Sequence, residues 1–382
     1  MAVGALILAA GTARAAEWIV EPSIAVESLY DDNVDLTIDD TESVSGYLIL
    51  PRLQVKANTE VSKTALDGYV AYTDYGDSDV EDKSEVATYL TSERQTSERG
   101  TLGLRGEYRR DTLFERTDFG PGTGNIRDVD IGLSRDTEVR RHFWMLEPSW
   151  NWLLSERSAV RFGYRHTDSR YTNATGTDLV DYTEQGVSTT YSRSLTDRSD
   201  VNVTVNAARF EPDIDEEATT LQLLAGLRRA FSDTLRGNFG AGVSRTRTES
   251  GAAEDTSSGF VFSAGLEQRA ETSTLDGVIS SDVTPSGLGR TVRSDQIRVR
   301  WTLQTAPTVQ FVLQTHLLRN RALEGDDPAV DRRYYELQPE LRWQWLEDLF
   351  LSGSYRYRRQ KFDADPDSAQ SNAFFLGFAY SL

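Results

Sequence analysis

Cysteine is absent from the 382 residues, methionine occurs twice, and lysine is found only at Lys56, Lys63, Lys83 and Lys361. Without cysteine there is no disulfide scaffold and no cysteine-ligated zinc or iron–sulfur site. No apolar run approaches the roughly 20 residues that a membrane helix needs. No helical period of any length appears after Glu17. There is no phosphate-binding glycine loop, and a formal charge of −19 argues against nucleic acid as a partner. His142, His166 and His316 are the only histidines. His166-x-Asp168 resembles half of a hydrolytic pair but has no partnered nucleophile in the sequence. Asp77-x-Asp79 and Asp363-x-Asp365-x-Asp367 lack the glycine and distal glutamate of a hand-type calcium loop and read as solvated acidic loops. The sequence therefore assigns no catalytic residue, cofactor or metal site.

What the chain does have is alternation. Mean hydropathy is −0.48, which alone suggests a soluble acidic protein. Strands that alternate apolar and polar residues average out to the same value. Period-two runs recur along the chain, about eighteen in all, from Trp18–Tyr30 and Val44–Asn58 through Leu349–Gln360 to the terminal stretch Ser371–Leu382. In Val160–Thr167, Val160, Phe162 and Tyr164 share one face while Arg161, Gly163 and Arg165 share the other. In Gln296–Leu303, Ile297, Val299, Trp301 and Leu303 oppose Gln296, Arg298, Arg300 and Thr302. A helix of period 3.6 would scramble these sets.

The connections alternate too. Tight polar turns such as Ser155-Glu156, Ser232-Asp233 and Glu347-Asp348 take turns with long acidic ones such as Asp31–Ser43, Glu211–Ala218 and Lys361–Gln370. This rhythm predicts an all-β fold: a transmembrane antiparallel up-and-down β-barrel of about 18 strands in the bacterial outer membrane, with the long loops outside. Trp18, Trp144, Trp152, Trp301, Trp343, Trp345, Tyr355 and Tyr357 lie near strand ends, as interface belts require. Pro22, Pro51, Pro148 and Pro339 fall inside strands, where bulges are the expected accommodation. The stretch 115–138 is expected to be a long extracellular loop; Asn125–Asp136 within it has strand-like alternation but would break parity. Residues 1–16 read as a secretory signal peptide, with apolar Val3–Ala10 before Ala13-Arg14-Ala15 and no positive n-region. The remainder, 17–382, is the barrel.

In SNAFFLGFAYSL (Ser371–Leu382), Phe374, Leu376, Phe378, Tyr380 and Leu382 alternate with Phe375, Gly377, Ala379 and Ser381 to the last position. A strand that closes a barrel on the first strand explains why this end does not fray. The stretch resembles the terminal recognition signal of bacterial outer-membrane barrels. Gly377, Tyr380 and Leu382 match it, with Leu382 in place of the commoner Phe and Phe375 where a polar residue is usual. The resemblance implies the barrel-assembly machinery as a partner, besides outer-membrane lipid and lipopolysaccharide. At Glu27–Thr37 the sequence ESLYDDNVDLT resembles the first hairpin of outer-membrane barrels from exopolysaccharide and exosortase gene neighbourhoods. Tyr30, Asp32, Asn33, Leu36 and Thr37 match. Leu146–Tyr171 is similar to that family's central Pro-Ser-Trp strand and following hairpin. This likeness implies a role in export of anionic polysaccharide with periplasmic export components, and it carries no catalytic residue.

The candidate site is the lumen. The strand phasing turns Arg105, Arg109, Arg161, Arg165, Arg228, Arg236, Arg298, Arg300, Arg342, Arg356 and Arg358 inward, against fewer inward acids: Glu107, Glu147, Glu267, Asp276, Glu336 and Glu340. Arginine stays charged and grips carboxylates with two donors. Two readings fit: a porin-like channel whose basic lumen attracts anions, or a ladder of cross-strand ion pairs that stiffens the wall of a non-conducting anchor.

Overall fold

The computed structural model describes residues 16–39, 41–76, 80–112, 139–251, 253–323 and 330–382. The leader, apart from Ala16, and the 115–138 loop with Asn125–Asp136 lie outside the described residues. The strands are β1 (Glu17–Asp31), β2 (Val44–Asn58), β3 (Ser62–Asp74), β4 (Lys83–Gln95), β5 (Gly100–Thr112), β6 (Arg140–Ser155), β7 (Ser158–Thr172), β8 (Tyr182–Thr196) and β9 (Ser199–Pro212). They continue with β10 (Glu216–Ala230), β11 (Leu235–Ser250), β12 (Ala253–Arg269), β13 (Ser273–Pro285), β14 (Thr291–Ala306), β15 (Val309–Ala322), β16 (Arg332–Gln344), β17 (Leu349–Phe362) and β18 (Ala369–Ser381). Each pairs antiparallel with its sequence neighbour in one 18-stranded sheet. The sheet closes where β18 meets β1, from Ser23 opposite Ser381 to Asp31 opposite Ala373. The Leu382 amide completes the seal by donating to the Pro22 carbonyl at 3.0 Å. The alternating last strand is thus the closing strand.

Alternation sorts the two faces. Val20, Val70, Leu102, Val187, Val205, Leu221, Val243 and Leu376 all stand exposed on the outside. A closed barrel has no second layer to cover such a surface, so its solvent is lipid. At the upper edge of this belt, tyrosine hydroxyls point into the polar rim. Tyr47 donates to Asp74 Oδ2 at 2.9 Å, Tyr72 to Asp82 Oδ2 at 2.8 Å and Tyr355 to Asn372 Oδ1 at 2.7 Å. Trp18, Trp343 and Trp345 mark the lower edge, all exposed. An aromatic ring with one wet end suits each interface. The chain is a closed transmembrane β-barrel.

Tight lower turns follow from hydroxyls in their sequences. The Ser62 amide donates to Thr59 Oγ1 at 2.9 Å, Gly100 to Ser97 Oγ at 2.9 Å and Leu235 to Ser232 Oγ at 3.0 Å. Each side chain stands in for a backbone turn acceptor.

The prolines do not sit in bulges. Around Pro51, pairing of β2 with β3 lapses between Ile49↔Tyr72 and Arg52↔Tyr69, yet the register on either side is the same. Pro148 and Pro339 interrupt β6–β7 and β16–β17 in the same way, without a shift. Each ring lies on the outer face and removes the donor toward one neighbour, while pairing to the other neighbour runs through it unbroken. The register shifts that do occur are at Leu153/Ser155, Ser194/Thr196 and Gln304/Ala306, beside lower turns.

Candidate functional site: the lumen and its inward loop

All eleven candidate arginines fall on the inward parity of their strands. Their surroundings divide them by height. In the upper half, Arg356 and Arg358 are buried, and both reach Asp31 at the top of β1. Arg358 Nη2 donates to Asp31 Oδ2 at 2.9 Å and Arg356 Nη2 to the same oxygen at 3.3 Å. Ser371 Oγ donates to Asp31 Oδ1 at 2.7 Å. Arg358 Nη2 also reaches the carbonyls of Asn33 and Val34, at 3.3 and 3.2 Å.

Those carbonyls belong to the first upper loop, expected above as an outward acidic loop. It folds into the barrel instead. Val34 packs with Leu29, Val44, Tyr75, Ala373 and Phe375, and Leu36 with Leu318, Tyr334 and Ala369. Asp35 lies 4.0 Å from Lys83 of β4. The loop therefore lies against an arc of wall running from β15 round to β4. Its acids do not force it outward, because Arg358 and Lys83 meet them inside and Val34 and Leu36 bury apolar surface.

The motif residues explain its shape. Asn33 Nδ2 donates to the Thr37 carbonyl at 2.7 Å and the Gln370 carbonyl at 3.0 Å, while its Oδ1 accepts from the Thr37 amide at 3.0 Å. Asp32 Oδ1 accepts from the Asn372 amide at 2.6 Å. Leu36 has a φ of 53°, a left-handed conformation unusual for a leucine. The Asn33–Thr37 bonds on either side hold it there.

Further round the upper wall, Arg109 pairs with Glu107 at 2.7 Å and Asp111 at 3.5 Å. Arg141 pairs with Asp111 at 3.1 Å, and the Phe143 ring lies between the two guanidiniums, 4.7 and 5.7 Å from them. Low on the wall, just above the turn after β16, Arg342 likewise pairs with Glu340 at 2.6 Å. Arg298 is buried opposite His316. At Arg109, Arg141 and Arg342 the ion-pair reading fits the geometry.

The other candidates in the lower half are different. Arg105, Arg161, Arg228 and Arg236 are exposed. In register, Arg105 is opposite Glu147, Arg228 opposite Asp200 and Arg236 opposite Glu267, and each of these acids is half-buried. Arg161 Nη2 donates to Ser149 Oγ at 3.0 Å, and Arg165 pairs with Glu147 at 3.1 Å while staying largely exposed. Arg300, opposite Asp276, is half-buried. In each of these pairs the arginine outreaches the carboxylate across from it; lower still, Glu21 and Glu93 also stand exposed on the inward parity of β1 and β4.

The sequence count leaves out part of the wall. Glu27, Asp31, Asp67, Glu85, Asp111, Glu184 and Asp282 also face inward, as do Arg52, Arg141, Arg332 and Lys83. Arg52 pairs with Asp67 at 2.5 Å. Alternation runs through each of these strands, while Asp31 and Lys83 stand at strand ends that border acidic connections. Among the described residues no group of three or more His, Cys, Asp or Glu converges as a metal site. His166 packs on Trp144 on the outer face, ring centroids 4.6 Å apart, and Asp168 is held by Arg170 at 3.1 Å.

No family model and no curated protein matches the chain. Solved structures do. The outer membrane protein OpdK of Pseudomonas aeruginosa is 10% identical, with 95% of this chain and 99% of that one covered at a TM-score of 0.47. OpdO of the same organism is 13% identical, covering 95% and 97% at 0.48. The siderophore receptor PirA, again from P. aeruginosa, is 9% identical, covering 95% and 80% at 0.45. At that distance the likeness transfers neither cargo nor mechanism, and the fold rests on the strand pairing itself.

Proposed function

We propose that this barrel is a porin-like channel for anionic solutes, narrowed at its outer mouth by the inward loop. The observation that carries the reading is the contrast in the lower lumen: Arg105, Arg161, Arg228 and Arg236 are exposed, while the acids opposite three of them are half-buried. An 18-stranded wall is wide enough for water. Guanidiniums projecting into that water concentrate anions, and salt weakens the effect. The resemblance at Glu27–Thr37 nominates anionic exopolysaccharide as one cargo, handed over by periplasmic export components.

Planar-bilayer recording tests this. Replacing the four arginines with Gln should lower the preference for chloride over potassium at low salt while the barrel stays folded. An unchanged reversal potential would remove these residues from the selectivity.

The bridged outer mouth favours a second reading. The Val180 amide donates to the Gly287 carbonyl at 2.8 Å, joining the β7–β8 loop to the β13–β14 loop. A mouth bridged in this way suits a non-conducting anchor for an envelope assembly, and absence of any conductance would decide for it.

A further inference from the structure

The wall of the barrel is not equally knitted all the way up. β11 pairs with β12 as far as Ser250 opposite Ala253, and β13 with β14 as far as Pro285 opposite Thr291. Between β12 and β13 the pairing stops much lower, at Phe262 opposite Ser281. Residues 253–261 of β12 and 282–285 of β13 each keep a partner on one side alone.

The cause is a hairpin that leaves the wall. Above Ser281, β13 and β14 lean into the lumen. Asp282 Oδ1 accepts from Gln222 Nε2 of β10 at 2.8 Å, three strands away. The hairpin tip is buried at Ser286, Gly287 and Gly289, where the tip of an outer loop is ordinarily wet. It rests on the β7–β8 loop through the Val180–Gly287 bond. Gly287 and Gly289 permit that approach: a side chain on the first would collide with Tyr171 and on the second with Ile214.

One side chain spans the seam left behind. Arg293, on the outer face of β14, reaches past β13, and its Nη1 donates to the Phe260 carbonyl of β12 at 2.9 Å. In an unbroken sheet that edge would meet β13 itself. Gly259, on the inward parity of β12, has no side chain, and any Cβ there would occupy the space of the guanidinium, so the Arg293 head passes through the seam to the lumen side of β12. The base of the seam lies in the apolar belt. Phe260 is 57% exposed outside, and Val243 beside it on β11 is 58% exposed. Phe260 stacks on Phe262 with ring centroids 6.0 Å apart. One step higher, the outward positions turn polar, with Arg245 and Ser258. The base of the seam thus lies at the depth where acyl chains give way to headgroups, with a cation across it and aromatic rings below; Val261 and Ser281 beside it are 2% and 4% exposed, so the seam is shut while the Arg293 strap holds.

We propose that this seam is a lateral portal between the lumen and the outer leaflet, with Arg293 selecting amphiphiles that carry an anionic headgroup. The apolar chain would lie over Phe260 and Phe262. The headgroup would take the guanidinium donors that now hold Phe260. Hydrogen bonds to an anion are stronger than one to a neutral carbonyl, so the ligand itself would release the strap. The proposal does not rest on conduction of anions through the lower lumen.

The absence of cysteine makes a direct test possible, since any introduced thiol is unique. A fluorophore is attached at Ser263→Cys, lumen-facing and exposed just below the seam. A second chain carries it at Asn202→Cys, lumen-facing and exposed on β9. Both are reconstituted in phosphatidylcholine vesicles containing phosphatidylglycerol with a nitroxide on its acyl chain. The expected result is greater loss of fluorescence at 263 than at 202. With the nitroxide on phosphatidylcholine instead, the loss at 263 should fall. Arg293→Gln should erase the difference between the two lipids. Equal quenching at 263 and 202 would overturn the portal. Quenching at 263 that ignores both headgroup and Arg293→Gln would overturn the selection by Arg293.

Discussion

Asp31→Ala is the most informative single substitution. The carboxylate is 2% exposed. It is shared by Arg356 and Arg358, and it also accepts from Ser371 Oγ and, at 3.1 Å, from the Asn33 amide. Removing it leaves two guanidiniums buried beside each other without their common acid. Breaking a buried pair by deleting one partner costs about 3–5 kcal/mol. Most of that cost is relieved if the loop swings out and lets water reach Arg358, so the energy should appear as loop opening rather than barrel unfolding. At about 1.4 kcal/mol per tenfold change, the open population should rise at least about 100-fold. The assay is maleimide labelling of a single cysteine at Leu36, which is 3% exposed and shielded by Leu318, Tyr334 and Ala369. Labelling should be slow with Asp31 present and faster by that factor without it, at unchanged heat-modifiable migration on gels. Adding Arg356→Met and Arg358→Met should restore part of the protection, because the unpaired charges are then gone. A labelling rate indifferent to Asp31 would refute the clamp.

Three further outcomes are expected. Asn33→Ala removes the acceptor for Thr37 and the donors to Thr37 and Gln370, and should speed Leu36-cysteine labelling by less than Asp31→Ala does, about 1–2 kcal/mol. Pro51→Val restores an outer-wall donor between unshifted rungs, so midpoint denaturant concentration should stay the same or rise slightly; a marked fall would show that the proline shapes the strand. An epitope inserted at Asp213 should be reachable on intact cells and one at Asp233 should not, since these mark opposite ends of the strands; reversed labelling would invert the barrel.

The strands, their number and their faces were legible in the sequence because a period of two survives any tertiary context that wets one side and greases the other. Closure was legible in Phe374–Leu382 for the same reason. The first loop was not. Asp31 to Ser43 carries the composition of a solvated loop, and what turns it inward is Arg358, 327 positions away. The leaning β13–β14 hairpin was hidden likewise: its strands alternate normally, and only Gln222 and the β7–β8 loop show where it goes. The arginines were placed on the correct face, yet their pairing with Glu107, Glu340 and Asp31 depends on register and height, which alternation does not encode. Prolines suggested bulges because a lost donor implies a lost rung; the register shows that one side of a strand can lose it while the other keeps the count.

The most direct test of a channel narrowed by its own first loop is single-channel recording of the wild-type chain beside one in which residues 34–42 are replaced by a short Gly-Ser linker. The wild type should show a small, anion-preferring conductance. The shortened chain should show a larger one with the preference kept, because Arg105, Arg161, Arg228 and Arg236 lie below the loop. Silence from both chains in bilayers that demonstrably contain folded barrel would contradict the channel.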